Sequence, residues 1–262
     1  MSLSVVIATY NRSKVLLHAV RSVFDNFSDV ELIVVDDAST DCSLSLVRRE
    51  FKEQIKSRSL VLLRNDINRG VTGSKNEGYR VARHHWVIFL DSDDAFVPGV
   101  GCGVSSVLAH NPDRAVIFFR CKDLDGNIVG KQFGHEVDLN LECYLKHTSY
   151  GEALTAINKR IVNELPYVEE LRGYEGIGCS RIIDRYGPAL LSIVIARIYD
   201  CSSNDRLSVS SGLLKRMPLL AKGHFRMVKE FGSRMGIIKS FSYLVKAVAY
   251  SVLGVAYRML KN

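Results

Sequence analysis

Several familiar signatures are missing from these 262 residues. None of the six cysteines (Cys42, Cys102, Cys121, Cys143, Cys179 and Cys201) forms a CxxC pair, which leaves a zinc knuckle or a dithiol redox motif without support. Scattered free thiols fit a reducing compartment. No leader pattern opens the chain, because Met1-Ser2 run directly into an apolar strand. No stretch of about 18 uncharged apolar residues occurs, so a spanning helix is not expected. Internal repeats and low-complexity linkers are absent as well. The one glycine-containing loop that precedes a helix lacks Gly-Lys-Ser/Thr and does not read GxGxxG, which excludes a Walker loop and a dinucleotide fingerprint.

What is present is a globular composition with an uneven charge. Hydrophobic residues make up 47% of the chain, enough for a core in one α/β domain with an appendage. The net charge is +7. Leu213 to Asn262 hold ten Lys/Arg and one acidic residue, +9 in all, so Met1 to Gly212 carry −2. The basic character belongs to the tail, where it suits an anionic surface or a solvated face.

The first half alternates short β-branched runs with amphipathic segments. Ser4–Thr9, Glu31–Asp36, Leu60–Leu63 and Trp86–Leu90 read as strands, with Trp86 in the core. Lys14–Phe24 (capped by Ser13), a segment from Asp41 to about Glu53, and Thr72–Arg83 read as helices. This order predicts a mostly parallel sheet covered on both faces. Ligands of such sheets bind beyond the carboxyl ends of the strands, where Tyr10, Asp37 and Asp91 fall. Later, Ala115–Phe119, Ala153–Asn158 and Leu190–Ile198 read as strands, Asp125-Gly126 as a hairpin turn, and Glu175–Arg185 as a helix. The tail from Leu213 is helical in pattern. Ile237, Phe241, Leu244, Val248, Val252, Val255 and Met259 form an apolar stripe opposite Lys239, Ser242 and Lys246, which suits a membrane interface or a packed helix.

Asp91-Ser92-Asp93-Asp94 places three carboxylates in four residues directly after a buried strand. Such carboxylates repel unless a cation neutralises them. Mg²⁺ or Mn²⁺ takes oxygen ligands and bridges to phosphates; an acidic capping turn is the alternative. Asp36-Asp37 ends a second strand, suited to a nucleobase, a ribose or a helix cap. Asn68–Gly78 combines glycines, a helix start and Lys75, which favours phosphate.

Together, VVIATYNR (Val5–Arg12), ELIVVDDASTD (Glu31–Asp41), NRGVTGSKNEG (Asn68–Gly78) and VIFLDSDD (Val87–Asp94) resemble the family 2 glycosyltransferases with a GT-A fold. The resemblance covers about the first hundred residues. It implies that Ala8 and Tyr10 line a nucleobase pocket and that Asp37 binds the uracil of a UDP-sugar. Arg12, Asn68 and Lys75 would lie near base or diphosphate. Asp91 and Ser92 would contact ribose or sugar, and Asp93, with Asp91, would hold the metal. An inverting transfer needs a general base. The family's Glu-Asp pair matches Glu175, but Gly176 stands in the place of the Asp. Glu169 and Glu170 are the reserves, and a helix-terminal carboxylate without catalytic duty is the alternative.

The expected organisation is a GT-A domain over 1–212 (a nucleotide-sugar half, 1–98, and an acceptor half, 99–212) and a basic helical tail over 213–262. The expected reaction moves a sugar from a UDP-sugar to a glycan hydroxyl, with the acceptor carried on a polyprenyl diphosphate, in bacterial surface-polysaccharide assembly. Arg197 and Arg206 are candidates for an acceptor phosphate; His224 is expected to be structural. The expected location is cytoplasmic, peripheral on the inner face of the membrane through the tail. Truncation from Gly236 is expected to cost membrane association more than activity. A catalytically impaired nucleotide-sugar-binding module is favoured by Gly176 and opposed by DSDD. A nucleotidyltransferase is opposed by Tyr10-Asn11-Arg12 after the first strand. Nucleic acid is not an expected partner, because the tail's aromatics sit among apolar residues.

Overall fold

The computed structural model describes residues 2–146, 151–199 and 210–259, with backbone alone at 210–215 and 256–259. The chain runs β1 (Leu3–Thr9), α1 (Leu16–Asn26), β2 (Val30–Asp36), α2 (Ser43–Glu50), α3 (Lys52–Lys56), β3 (Leu60–Arg64), α4 (Gly70–Val81) and β4 (Trp86–Asp91). It continues through β5 (Ala95–Phe96), α5 (Gly101–His110), β6 (Val116–Lys122), β7 (Val137–Leu139), α6 (Leu141–Lys146) and β8 (Ala153–Asn158). A 3₁₀ turn (Glu169–Leu171), α7 (Glu175–Tyr186), β9 (Ala189–Ile198), α8 (Ser210–Met235) and α9 (Ile237–Met259) complete the described elements.

Every residue of β1 and β2 is buried. Successive side chains of a strand point to opposite faces. Leu3, Val5, Ile7, Leu32 and Val34 therefore join one core cluster, whereas Val6, Ile33 and Val35 join the other. A strand apolar on both faces needs a layer on each, which the flanking helices provide.

The sheet runs β3-β2-β1-β4-β8-β6-β9-β5, with β7 on β9. It is parallel through β3-β2-β1-β4 and again between β6 and β9. β8 is antiparallel to both neighbours, and β5 and β7 are antiparallel to β9. The sheet is thus less parallel than the first-half pattern predicts, because the strands after β4 are not returned by one crossover helix each.

Local readings shift where a distant side chain decides the boundary. Ser13 does not cap α1; Val15 occupies that position, and the Ser13 amide donates to Asp41 Oδ2 at 3.0 Å. The single helix expected to Glu53 is two, α2 and α3. α4 begins at Gly70 rather than Thr72, because Asp37, on another strand end, accepts the Arg69 and Gly70 amides at 2.7 Å each. The Asp125-Gly126 turn forms, but only one bridge (Lys122 to Ile128) follows it.

The tail is a helical hairpin. Gly236, at φ 81°, ends α8 in a left-handed conformation that a side chain would strain. Gly254 then lies on Pro218, and Ser240 donates to Gly232 O, so α9 runs back along α8. Ile237, Ile238, Phe241, Val248 and Val252 are each more than 60% exposed. The Ile237–Val255 stretch has mean hydropathy 1.2 and is long and apolar enough to cross a membrane by length and composition. This amends the expectation drawn from uncharged runs alone, since Lys239 and Lys246 interrupt it.

Candidate active site

Register brings the motif residues to one edge of the sheet. Thr9 pairs with Asp36, Asp36 with Arg64, and Ala8 with Asp91, so β1, β2, β3 and β4 end level. Beyond β1, Asn11 takes a positive φ of 51°. That turn is locked by the DDASTD segment: Asn11 N donates to Ser39 Oγ (2.9 Å), Thr40 N to Asn11 Oδ1 (2.8 Å), and Arg12 N to Ser43 Oγ (3.1 Å). Tyr10 is left 47% exposed, two residues beyond buried Ala8.

Asp37 is buried, and its carboxylate accepts from Asn65 Nδ2 (2.8 Å) and the Arg69 and Gly70 amides. Asp37 thus shapes the Asn65–Gly70 loop. The physical reason is that the loop's amides, at the start of α4, need an acceptor. Asn68 is held in turn, donating to Asp37 O (3.2 Å) and accepting from Arg172 Nη2 at 2.6 Å.

The DSDD cluster is neutralised by cations from three elements. Lys75 of α4 reaches Asp91 Oδ1 at 2.7 Å. Arg197 of β9 reaches Asp91 Oδ2 at 3.3 Å and Asp94 Oδ2 at 3.1 Å. Arg12 lies 3.9 Å from Asp93. Ser92 is buried between them in sequence. Burial works to raise the Asp91 carboxyl, but Lys75 and Arg197 outweigh it and hold it below the usual range. Burial likewise works against the Lys75 ammonium, and Asp91 and Glu175 prevail, holding it well above its ordinary value. Arg197 was a candidate for an acceptor phosphate. Instead it is buried among Asp91, Asp94 and Cys121, with Glu152 at 3.6 Å, because an arginine inside an apolar strand must find charge partners. Burial pushes the Cys121 thiol up to about 11, against the pull of Arg197. Arg206 and Cys201 lie outside the described residues.

A divalent cation fits this edge through one carboxylate. No group of three or more His, Cys, Asp or Glu side chains gathers among the described residues. Both oxygens of Asp91 already face cations, whereas the cation nearest Asp93 among the described residues is Arg12 at 3.9 Å. Mg²⁺ and Mn²⁺ beside a diphosphate need only one or two protein carboxylates, the phosphates and water supplying the rest.

Glu175 is the first residue of α7, where a carboxylate favours the helix dipole. Its Oε1 lies 3.2 Å from Lys75 Nζ, so one ammonium bridges Glu175 and Asp91. The reserves are engaged elsewhere: Glu169 pairs with Arg69 at 2.6 Å, and Glu170 is exposed with Arg226 3.9 Å away. A Cβ built on Gly176 meets nothing within 4 Å. Glu175, Gly176, Lys75 and Asp91 line a cavity of about 410 Å³. Its remaining wall includes Tyr144, Tyr167 and Tyr174, which pattern reading did not find. They come from three separate segments, and no local period joins them.

The chain is similar to known proteins over much of its length. A beta-1,3-glucosyltransferase of Campylobacter jejuni acting on GalNAc(5)-diNAcBac-PP-undecaprenol is 27% identical over 99% of this chain and 84% of its own. An Escherichia coli UDP-Glc:alpha-D-GlcNAc-diphosphoundecaprenol beta-1,3-glucosyltransferase is 29% identical over 64% of this chain and 65% of its own. Among solved structures, S. aureus TarS with UDP-GlcNAc superposes with a TM-score of 0.65 at 16% identity, over 95% of this chain and 72% of that one. A Pyrobaculum calidifontis mannosyltransferase with GDP-Man and Mn²⁺ also gives 0.65 at 16%, over 97% and 75%. Both show the GT-A architecture. The family model for Glycosyl transferase family 2 matches residues 4–143, more than half of the 262, and the chain belongs to that family of glycosyltransferases.

Proposed function

We propose that the protein is an inverting glycosyltransferase that moves a sugar from a UDP-sugar to a hydroxyl of a polyprenyl-diphosphate-linked glycan. The observation that carries this reading is the Lys75 bridge, which sets Glu175 beside the donor-edge Asp91 in one cavity. The named substrates of the Campylobacter and Escherichia relatives support the donor and acceptor classes.

In this reading Tyr10 and Ala8 receive the base, and Asp37 shapes the loop that closes over it. Asp91 and Ser92 meet the ribose or donor sugar. Asp93 would hold Mn²⁺ or Mg²⁺, and Arg12, 3.9 Å from Asp93, adds positive charge beside it. The bound metal supplies neutralisation of the leaving diphosphate. The acceptor oxygen attacks the anomeric carbon from the face opposite the diphosphate. The C–O bond to phosphate breaks and its electron pair leaves with UDP. Glu175 takes the hydroxyl proton. Lys75 Nζ, 3.2 Å from Glu175 Oε1, holds that carboxylate in place beside Asp91. Inversion gives a β product from an α-linked donor.

The division into a domain over 1–212 and a tail over 213–262 fits the hairpin of α8 and α9. Its basic charge and outward apolar face suit the headgroup region of an anionic membrane, which would place the enzyme on the cytoplasmic face. The test is release of UDP from a panel of UDP-sugars with Mn²⁺, Mg²⁺ or EDTA, on wild type and Asp93→Ala. Metal-dependent release with one or two sugars, lost in the variant, is the expected result. No release and no UDP binding by calorimetry overturns the UDP assignment and brings guanine-nucleotide donors forward.

A further inference from the structure

If the tail were an anchor alone, truncation would cost little chemistry. The packing of α8 and α9 argues against that. Met227 of α8 and Lys239 and Tyr243 of α9 line the same cavity as Lys75, Asp91 and Glu175. The Lys239 ammonium donates to Leu145 O in α6, which ties α9 to the body. It enters the wall that also carries Leu139, Tyr144, Tyr174 and Met227.

A second set of contacts lies at the base itself. Tyr174 directly precedes Glu175. Its ring lies so close to α8 that a Cβ on Gly223 would stand 2.5 Å from it, an approach that only glycine allows. Tyr174 Oη and His224 Nδ1 are 3.2 Å apart. The His224 ring also meets Tyr174, Tyr243 and Tyr250, with centroids 5.7, 5.0 and 5.5 Å away. Farther along α7, Arg181 forms a two-pronged pair with Glu230 of α8 (2.8 and 2.7 Å). The helix that opens with Glu175 is therefore held by the tail at its first turn and at mid-length.

We propose that the C-terminal hairpin is a working part of the catalytic pocket: His224 positions the turn that presents Glu175, and Lys239 with Tyr243 forms the wall that meets the acceptor. The Lys239 ammonium at this wall suits a glycan that carries an anionic group, such as a sugar diphosphate. The His224 part rests on Glu175 being the base; the Lys239 part does not. The expectation for truncation changes accordingly: removing 236–262 opens the pocket and costs transfer as well as membrane association.

The experiment uses the full chain, the donor found by UDP release, and farnesyl-diphosphate-linked N-acetylglucosamine as the acceptor probe. His224→Ala is expected to lower kcat about tenfold through lost orientation, with the UDP dissociation constant within about twofold of wild type. His224→Phe, which keeps a ring against the three tyrosines, recovers most of the rate. Lys239→Met is expected to raise the acceptor KM about fivefold and to leave UDP affinity alone. Binding to phosphatidylcholine–phosphatidylglycerol vesicles stays unchanged in all three. Unchanged kcat and acceptor KM overturn the proposal. So does a loss that tracks an equal fall in UDP affinity and thermal midpoint, since that marks a merely structural hairpin. Glu175→Gln separates the two readings: full activity there removes the base and the brace together, while the Lys239 result still decides the wall.

Discussion

The donor edge and the acceptor wall of this pocket are assembled in different ways. At the donor edge, the ends of β1, β2 and β4 are level by register, and the chemistry sits within short consecutive stretches, Tyr10–Arg12, Asp36–Asp41 and Asp91–Asp94. The opposite wall takes residues from α6, α7, β8, α8 and α9, four of them from α7. Strand pairing fixes the first to within a residue, since a slip would turn every side chain to the other face. The second depends on how helices settle on the sheet, which leaves room for it to differ between relatives that share a donor. Arg197 is where the two meet: a β9 residue from the acceptor half that neutralises Asp91 and Asp94 of the donor half.

Glu175→Gln gives the strongest test of that contrast. It should lower transfer about 10²- to 10⁴-fold, the usual share of a general base, while calorimetric UDP affinity stays near wild type. Parallel loss of UDP binding would mean that the two sides are not separable. Arg197→Met should follow, costing about 3–5 kcal/mol in urea unfolding because two carboxylates lose their buried partner. A mild effect would show that Lys75 alone suffices. Asp37→Ala should cost about 1–3 kcal/mol per amide orphaned at Arg69 and Gly70, and should weaken UDP binding through the loop.

A pH effect belongs to the acceptor side. Burial lowers the His224 pKa from its ordinary 6.5, and Lys246 lowers it further, against the Leu220 carbonyl bond that raises it. Tyr174, Tyr243 and Tyr250 are the other titratable groups facing it. The unfolded chain therefore binds the proton more readily. The contribution of neutral His224 is complete above pH 6.5 and is lost as pH falls from there through the folded value. Wild type should lose thermal midpoint faster than His224→Phe as pH falls through that window. The smallest effect is expected for Gly176→Asp. Its Cβ has open space, so the midpoint should barely move, and a second carboxylate beside Glu175 should not reduce transfer. A large loss of stability would show that the gap is needed.

The sequence was readable where function is local. Four strands of the first half, the DSDD turn and Glu175 at a helix start all follow from runs of a few residues. The loop contacts of Asp37 were not legible because its partners, Asn65, Arg69 and Gly70, lie about thirty positions on, in a loop with no period of its own. The ion pairs of Arg197 were not legible either, because even its nearest charge partner in sequence, Glu152, lies in a distant segment. Tyr144, Tyr167 and Met227 lie far apart in sequence, and only the packing of α6, α8 and the segment before α7 brings them to one cavity.

One helix, α9, has Lys239 and Tyr243 on the cavity side and Ile238, Phe241, Val248 and Val252 on the opposite, outward side. An α-helix with its side chains is about 10–12 Å across. Were the outward side to rest on lipid, as proposed, the helix would act as a spacer of fixed thickness. The reacting hydroxyl would then be set one helix width above the bilayer surface, whatever the length of the glycan that carries it.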